Sequence, residues 1–561
     1  MKTKIISLVL FLYLLSALTS CQQPDLARPS EVQYKWHEQE RIMFIHFGPA
    51  TWGGIEQNNH SVSLSRINPE KLNTDQWCEA AQAWGAKQII MVAKHTGGFC
   101  WWQTHTTDYG IRNTPYKDGN GDVLKELSAS CKKYGLNLGV YIYPGDRTWG
   151  AMIGSGGKTS DPSKQKAYNK VFRTQLTEVL TRYGEMSEVW FDGSCVIDIS
   201  DILAQHAKKA VIFQGPQATV RWPGTESGKL FYPAWNSLKK EDLETGVSTQ
   251  IHGNPDGDAW APLEADTPLY DHHWFWSPTK ANDRKSVDHL MDIYYKSVGY
   301  GGVLLLNSTP DTTGLIPVKD IKRYKEFGDE INRRFSNPLS TAEKKKGKKV
   351  VLHFNKPTKV NHTIAMEDYR EGERIREYKI DALVNGKWTE LTKGISVGRK
   401  KIDYFEPVEA EAIRLIITKS VAKPLIRSFA AFYVNDFNPP KQPKNMRVFA
   451  RPKVVSVWES SDLSENKINL KINLNEKINV PGQYLLTVMP ETETSVKVDK
   501  AELFYNGNKA MQEFVKINGN KISLNQTAQI TDKSDLYVEM TISLEKKCAG
   551  EVMFKPELIH Q

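Results

Sequence analysis

Gln88-Ile89-Ile90-Met91-Val92-Ala93 is apolar almost throughout, does not alternate, and ends abruptly in Lys94 and His95. A strand with one wet face alternates apolar and polar residues, so a run of this kind is buried on both faces. The same pattern recurs at 42–47, 138–143, 188–191, 211–214 and 303–306. Between these runs lie longer amphipathic segments, at 75–84, 123–134, 165–183, 200–208, 287–298 and 320–335, whose spacing predicts helices. Buried strands that take turns with helices specify a parallel sheet covered on both sides. Residues 34–336 therefore predict an α/β unit, a (β/α)8-like barrel with insertions. A doubly wound open sheet is the alternative, but no Gly-x-Gly-x-x-Gly follows the first strand.

Beyond residue 336 the character changes. Short strand-like runs at 349–354, 363–365, 412–418 and 430–434, separated by turns, predict a β-sandwich over 337–438. Pro439-Pro440-Lys441-Gln442-Pro443 reads as a linker, 439–444. Alternation over 467–480 then predicts a second β-rich domain, 445–561, read as a structural cap in preference to a binding module.

At the other end, Lys2 and Lys4 precede an apolar run over 5–18 that closes in Leu18-Thr19-Ser20-Cys21. A short apolar run behind basic residues is a secretory signal, and this ending resembles the bacterial lipobox. The expectation is a signal peptide over 1–20, a lipid on Cys21 and a polar tether over 21–33. No later stretch is long enough to cross a bilayer as a helix, which predicts attachment by the lipid alone. The expected location is a bacterial envelope, on the periplasmic side or the cell surface.

The net charge of the 561 residues is +9, and the densest basic run, Lys344-Lys345-Lys346-Gly347-Lys348-Lys349, carries no interleaved aromatics. That argues for a solvated loop between domains and against nucleic acid as a partner. The remaining cysteines, Cys78, Cys100, Cys131, Cys195 and Cys548, form neither a CxxC pair nor a metal-ligand spacing. They predict buried thiols, no structural zinc and no cofactor. Fifteen tryptophans suit either sugar-stacking platforms or a large core.

Catalytic groups of a parallel barrel sit where strands end, at the C-terminal face. The polar residues that end these strands are His46, Lys94-His95, 141–146, Asp192 and Asn307. A single His or Asp at such a point is often only a cap; repetition on successive strands points to a site. Glu188-Val189-Trp190-Phe191-Asp192-Gly193 carries an apolar strand into a carboxylate and then a glycine that permits a sharp turn. Retaining glycoside hydrolysis needs such a nucleophile, with a second carboxyl about 5–5.5 Å away to protonate the leaving oxygen.

Phe44-Ile45-His46-Phe47-Gly48-Pro49, Ala93-Lys94-His95, Gly98-Phe99-Cys100, 117–123, Gly139-Val140-Tyr141 and Val189-Trp190-Phe191-Asp192-Gly193 together resemble glycoside hydrolase family 29, the α-L-fucosidases. Arg221-Trp222, Trp260-Ala261-Pro262-Leu263-Glu264, Trp274-Phe275-Trp276 and Leu304-Leu305-Leu306-Asn307 extend the resemblance in order across the barrel. It implies retaining hydrolysis of terminal α-L-fucose on a fucosylated oligosaccharide or glycoconjugate, with Asp192 as nucleophile. In the subgroup acting on α-1,3/1,4-linked fucose it implies Glu264 as acid/base, in a loop flanked by Trp260 and Trp274. Asp266, Asp258 and Asp271 remain alternatives for that role. The sugar contacts it implies are His46, Glu56, His95, Tyr141, Trp190 and Arg221.

The sequence also departs from the family pattern. Lys-His-His-Asp-Gly-Phe is replaced by Lys94-His95-Thr96-Gly97-Gly98-Phe99, Gln57 stands where a Trp is usual, and Gly299-Tyr300-Gly301-Gly302 replaces Gly-Arg-Asn-Gly. A lost His donor alters hydroxyl recognition by about 1 kcal/mol. Two further readings follow: the same mechanism on another galacto-configured sugar, or an inactive glycan-binding lipoprotein.

Overall fold

A computed structural model describes residues 25–244, 252–271, 273–280, 282–437, 453–475, 478, 482–491, 494–526 and 535–557. The signal segment 1–20, Cys21 and the linker 439–444 lie outside the described residues. The tether read as reaching residue 33 is shorter, because a helix occupies Glu31–His37. Ser30 and Gln33 start it with a reciprocal capping box, Ser30 Oγ accepting from Gln33 N and Gln33 Oε1 from Ser30 N.

Seven parallel strands form the central sheet: β1 Arg41–Ile45, β2 Gln88–Lys94, β3 Asn137–Ile142, β4 Glu188–Trp190, β5 Val211–Phe213, β8 Glu264–Pro268 and β9 Val303–Ser308. A short antiparallel pair, β6 Ser237–Leu238 and β7 Ala259–Trp260, stands apart from it. The order is β5-β4-β3-β2-β1-β9-β8. Residues 219–221 bridge the gap between β5 and β8 as an irregular eighth stave. Thr219 N and Val220 N donate to Ile212 O, Arg221 N donates to Pro262 O, and Glu264 N donates to Arg221 O. Both edges of the sheet are thus satisfied and the barrel closes.

The continuous apolar runs now have a physical cause. On β1, Ile42 and Phe44 point into the barrel with Ile90, Val92, Tyr141, Trp190, Phe213 and Leu305. Met43 and Ile45 point outward, into the layer between sheet and helices. The helix Val123–Tyr134 shows how that layer is made. Asp122 caps its start by accepting from Lys125 N, Gly135 ends it at φ 66, and Val123, Leu124, Leu127 and Cys131 supply the buried stripe. Each large aliphatic side chain so covered contributes about 1.5–3 kcal/mol.

The helices follow the expected positions to within a few residues, at Thr74–Ala83, Pro162–Arg182, Ser200–His206, Val287–Lys296 and Val318–Phe335. The stretch around Glu264 does not. Read as a loop, it is a strand buried at every position. Its acidic composition hides it, since Glu264 and Asp266 point inside the barrel, where each accepts from an indole donor.

A six-stranded antiparallel sheet follows: β10 Ser340–Lys346, β11 Lys349–Glu367, β12 Ile375–Val384, β13 Lys387–Gly394, β14 Lys401–Ser420 and β15 Leu425–Phe432. β11 and β14 are long and carry register shifts, between His353 and Thr358 and between Val360 and His362 on β11. They pair with each other along both halves, while only the second half of β11 also pairs β15 and only the second half of β14 also pairs β12, so one hydrogen-bonded sheet folds over its own core of Val350, Leu352, Ile380, Leu415 and Phe429. The basic run is not an inter-domain loop. It is the end of edge strand β10 and its exposed connection to β11, where charge on an edge strand discourages further pairing. Beyond the linker, a five-stranded and a four-stranded sheet enclose a separate core that includes Trp458, Leu486, Val538 and Phe554. Cys78, Cys100, Cys131, Cys195 and Cys548 are buried free thiols.

Candidate active site

A cleft of about 470 Å³ opens at the C-terminal ends of the strands. His46, Glu56, His95, Tyr141, Trp190 and Asp192 all line it, joined by Gln57, Thr96, Tyr143, Gln214, Trp222, Glu226, Asp266 and Trp274.

Each group is held from behind. His46, just past β1, places Nδ1 2.8 Å from Asn307 Oδ1, while Asn307 Nδ2 donates to Trp274 O at 2.8 Å. With the amide so oriented, His46 Nδ1 carries the proton and Nε2 is the acceptor. Burial, reinforced by neighbouring His95, keeps His46 well below the usual histidine range. His95, just past β2, stacks on Tyr141 with ring centres 5.6 Å apart, and burial lowers it to about 3. Both rings are neutral at physiological pH, suited to hydroxyls and not to anions.

Asp192 leaves β4 through a tight bend, with Gly193 and Ser194 both at φ 75. That conformation is easy for glycine and strained for serine. Gln214 fixes the bend, its Oε1 accepting from Gly193 N at 2.6 Å and Ser194 N at 3.2 Å. The Tyr141 hydroxyl donates to Asp192 Oδ2 at 3.1 Å; burial and then the Asp192 charge push its own ionisation well above the usual tyrosine range. Trp190 lies flat on Phe213, 3.8 Å between centres and 4° between planes. Glu56 is pinned by His273 Nδ1 at 2.9 Å and Trp274 N at 2.8 Å.

Two of the expected residues stand elsewhere. Glu264 is fully buried and does not line the cleft; its Oε2 accepts from Trp190 Nε1 at 2.8 Å from within the barrel. Arg221 belongs to the irregular stave, and successive residues of an extended segment face opposite sides. Its guanidinium donates to Ala261 O at 3.1 Å and to Trp235 O, while the next residue, Trp222, lines the cleft. Among the alternative acids, Asp258 is an exposed acceptor for Lys240 N, and Asp271 is exposed and outside the cleft.

Two carboxyls other than Asp192 and Glu56 do enter it. Asp266 is 3% exposed and accepts from Trp222 Nε1 at 2.7 Å. Burial first, then the charges of Glu226 and Asp192, hold Asp266 protonated well above the usual carboxylate range. Glu226 is solvent-accessible and accepts from Trp274 Nε1 at 3.1 Å. The sequence carried a signal for Glu226. Trp222-Pro223-Gly224-Thr225-Glu226 leaves a barrel stave through an aromatic and a glycine, as Trp190-Phe191-Asp192-Gly193 does.

The departures from the usual pattern are also built in. Thr96 and Gln57 line the cleft. A Cβ on Gly97 would stand 2.2 Å from Asn58 Nδ2, and Asn58 accepts from Tyr109 OH at 3.0 Å. The loop at 56–60 thus occupies the space that a side chain at 97 would need.

The α-L-fucosidase family profile matches residues 22–334. The chain belongs to the α-L-fucosidase family. It is similar to α-L-fucosidase 1 of Arabidopsis thaliana, 31% identical over 464 residues, covering 74% of this chain and 89% of that protein. A crystal structure assigned to the α-L-fucosidases, from Bacteroides thetaiotaomicron VPI-5482, is 37% identical with TM-score 0.69, covering 73% of this chain and all of that one. A Ruminococcus gnavus family 29 fucosidase, solved in complex with fucose, is 26% identical with TM-score 0.65, covering 73% of this chain and 95% of that chain. In this α-L-fucosidase-family enzyme, a cleft of neutral histidines, aromatic rings and carboxyls stands at the catalytic end of the barrel.

Proposed function

We propose that the enzyme removes terminal α-L-fucose from fucosylated oligosaccharides or glycoconjugates with retention, Asp192 acting as nucleophile and Glu226 as acid/base. The observation that carries this reading is that Asp192 and Glu226 open into one cleft, whereas Glu264 is sealed beneath it. The fucose complex of the Ruminococcus gnavus relative supports the choice of sugar.

In the first step an Asp192 oxygen attacks the anomeric carbon, and the glycosidic bond breaks as Glu226 gives its proton to the leaving oxygen. In the second, Glu226 takes a proton from water, and that oxygen displaces Asp192. Glu226 must admit water, and its exposure suits that duty better than the nearly sealed Asp266. Tyr141 stabilises the negative carboxylate and, by the same bond, lowers its basicity.

The test is a pair of substrates. Glu226→Ala slows natural glycans far more than an activated aryl fucoside, and azide restores the latter as a fucosyl azide. If Asp266→Asn shows that split and Glu226→Ala does not, the roles exchange. NMR of the first-released anomer checks retention; initial inversion refutes the double displacement. The Cys21 lipid is read as the tether to the envelope, and Cys21→Ala then abolishes incorporation of labelled palmitate.

A further inference from the structure

Beneath Trp190 two carboxyls meet inside the barrel. Glu188 on β4 and Glu264 on β8 are both 0% exposed. Glu188 Oε2 accepts from Trp36 Nε1 at 2.7 Å and from Gln88 Nε2 at 2.7 Å. Glu264 Oε2 accepts from Trp190 Nε1 at 2.8 Å. The second oxygen of each, Oε1, receives no donor from any described residue, yet the two side chains are within hydrogen-bond reach of one another.

A carboxylate oxygen sealed from water without a donor is costly, and two adjacent buried negative charges are costlier still. One proton shared between the two carboxyls removes both penalties. We propose that Glu188 and Glu264 form a one-proton carboxyl pair that positions Trp190 as the floor of the sugar site. This rests on the reading that the cleft binds the sugar. The indole lies on Phe213, meets the Phe44 ring edge-on, and has Tyr141 5.5 Å away between ring centres, whose hydroxyl donates to Asp192. A tilt of Trp190 is therefore felt at Asp192. Glu188 and Glu264 are positioning residues and touch no reacting atom.

The groups around the pair are few. Trp36, Gln88 and Trp190 are neutral donors, Gln88 being fixed by Gln39 and Ser187. Asp266, two residues along β8, adds a further carboxyl that bears on Glu264. Arg221 touches Glu264 through its backbone carbonyl, its guanidinium being turned to Ala261 and Trp235. Burial raises Glu188 to about 7, and burial together with the Glu188 charge holds Glu264 well above the usual carboxyl range. The folded chain thus keeps a proton that the unfolded chain releases in the ordinary carboxyl range. By linkage, stability falls as pH rises from that range toward and beyond neutrality.

The experiment measures thermal midpoint from pH 5 to 8, and KM and kcat on an aryl fucoside, for wild type, Glu264→Gln, Glu188→Gln and Glu264→Leu. Gln at 264 can accept from Trp190 and donate to Glu188, so it mimics the singly protonated pair. The expected results are a decline of the midpoint with rising pH in wild type, a flattened slope in both Gln variants, and KM held near wild type in Glu264→Gln. Glu264→Leu leaves the indole without an acceptor, and KM rises about tenfold, with kcat less affected. A wild-type slope retained in both Gln variants, or an unchanged KM in the Leu variant, overturns the proposal. Should Glu264→Leu not fold, the two Gln slopes decide the matter. Absence of fucoside turnover in wild type would instead sink the functional reading, leaving the slope test intact.

Discussion

The hydroxyl of Tyr141 is the most informative single atom behind Asp192, because it joins a rigid barrel strand to the carboxylate on the bend. Its proton is secure, since burial and the Asp192 charge both oppose ionisation. Tyr141→Phe keeps the ring stack on Trp190 but withdraws one hydrogen bond to an ionised group, a contribution of about 1.5–3 kcal/mol. kcat on an aryl fucoside should fall about ten- to hundredfold, with KM changed much less, measured by steady-state kinetics. Asp192→Asn should remove turnover by about a thousandfold or more, and the loss should be equal on activated and natural substrates, because no leaving group compensates for a missing nucleophile. His46 and His95 contribute nothing to the pH profile of either variant: both are held neutral far below the working range.

At the scale of elements, the site depends on two features of unequal visibility. The apolar strands and their polar ends are legible, so the pattern offers His46, His95, Tyr141 and Asp192 as candidates, and the family resemblance adds Trp190 and Glu56; all six line one cleft. β8 and the irregular stave were not, because Glu264-Ala265-Asp266-Thr267-Pro268 and Thr219-Val220-Arg221 show no apolar run. Their pairing is decided by barrel closure, a non-local condition that overrides local composition. Misplacing that strand put Glu264 in a loop and Arg221 in the cleft; in fact a one-residue change of facing brings Trp222 inward. Glu226 was missed because no apolar strand announced the stave before it. The bend after β4 offers a test at the same scale. Gln214→Ala strips the acceptor from Gly193 N and Ser194 N, where strain is already stored at Ser194. kcat should drop at least about tenfold while the thermal midpoint falls by only a few degrees, since the bend is local and the core untouched.

Across the whole molecule, the barrel and the first β-sandwich are joined by a cluster of buried charges below the sheet. Arg399, 1% exposed, donates to Glu40 at 2.5 Å and lies 3.6 Å from Glu38. Lys400 also reaches Glu40, while Arg427 and the Tyr369 hydroxyl hold Glu38 at 2.8 and 2.6 Å. Burial alone would raise both carboxyls, but Arg399 and its neighbours outweigh it and hold them below the usual range. The sign of the linkage follows. These carboxylates bind fewer protons folded than unfolded near pH 4, so their stabilisation is complete above the ordinary carboxyl range and is lost as pH falls through it. This is opposite in sign to the pair beneath Trp190, whose contribution is lost as pH rises. Arg399→Met fills the same space without the charge and leaves Glu40 with Lys400 alone. Breaking a buried pair in this way costs about 3–5 kcal/mol. Denaturant unfolding at pH 7 should show that loss, and the variant should show a shallower decline on acidification, because less electrostatic stabilisation is left to titrate. An acid slope as steep as wild type would place the acid sensitivity in other carboxylates and leave this interface as packing alone.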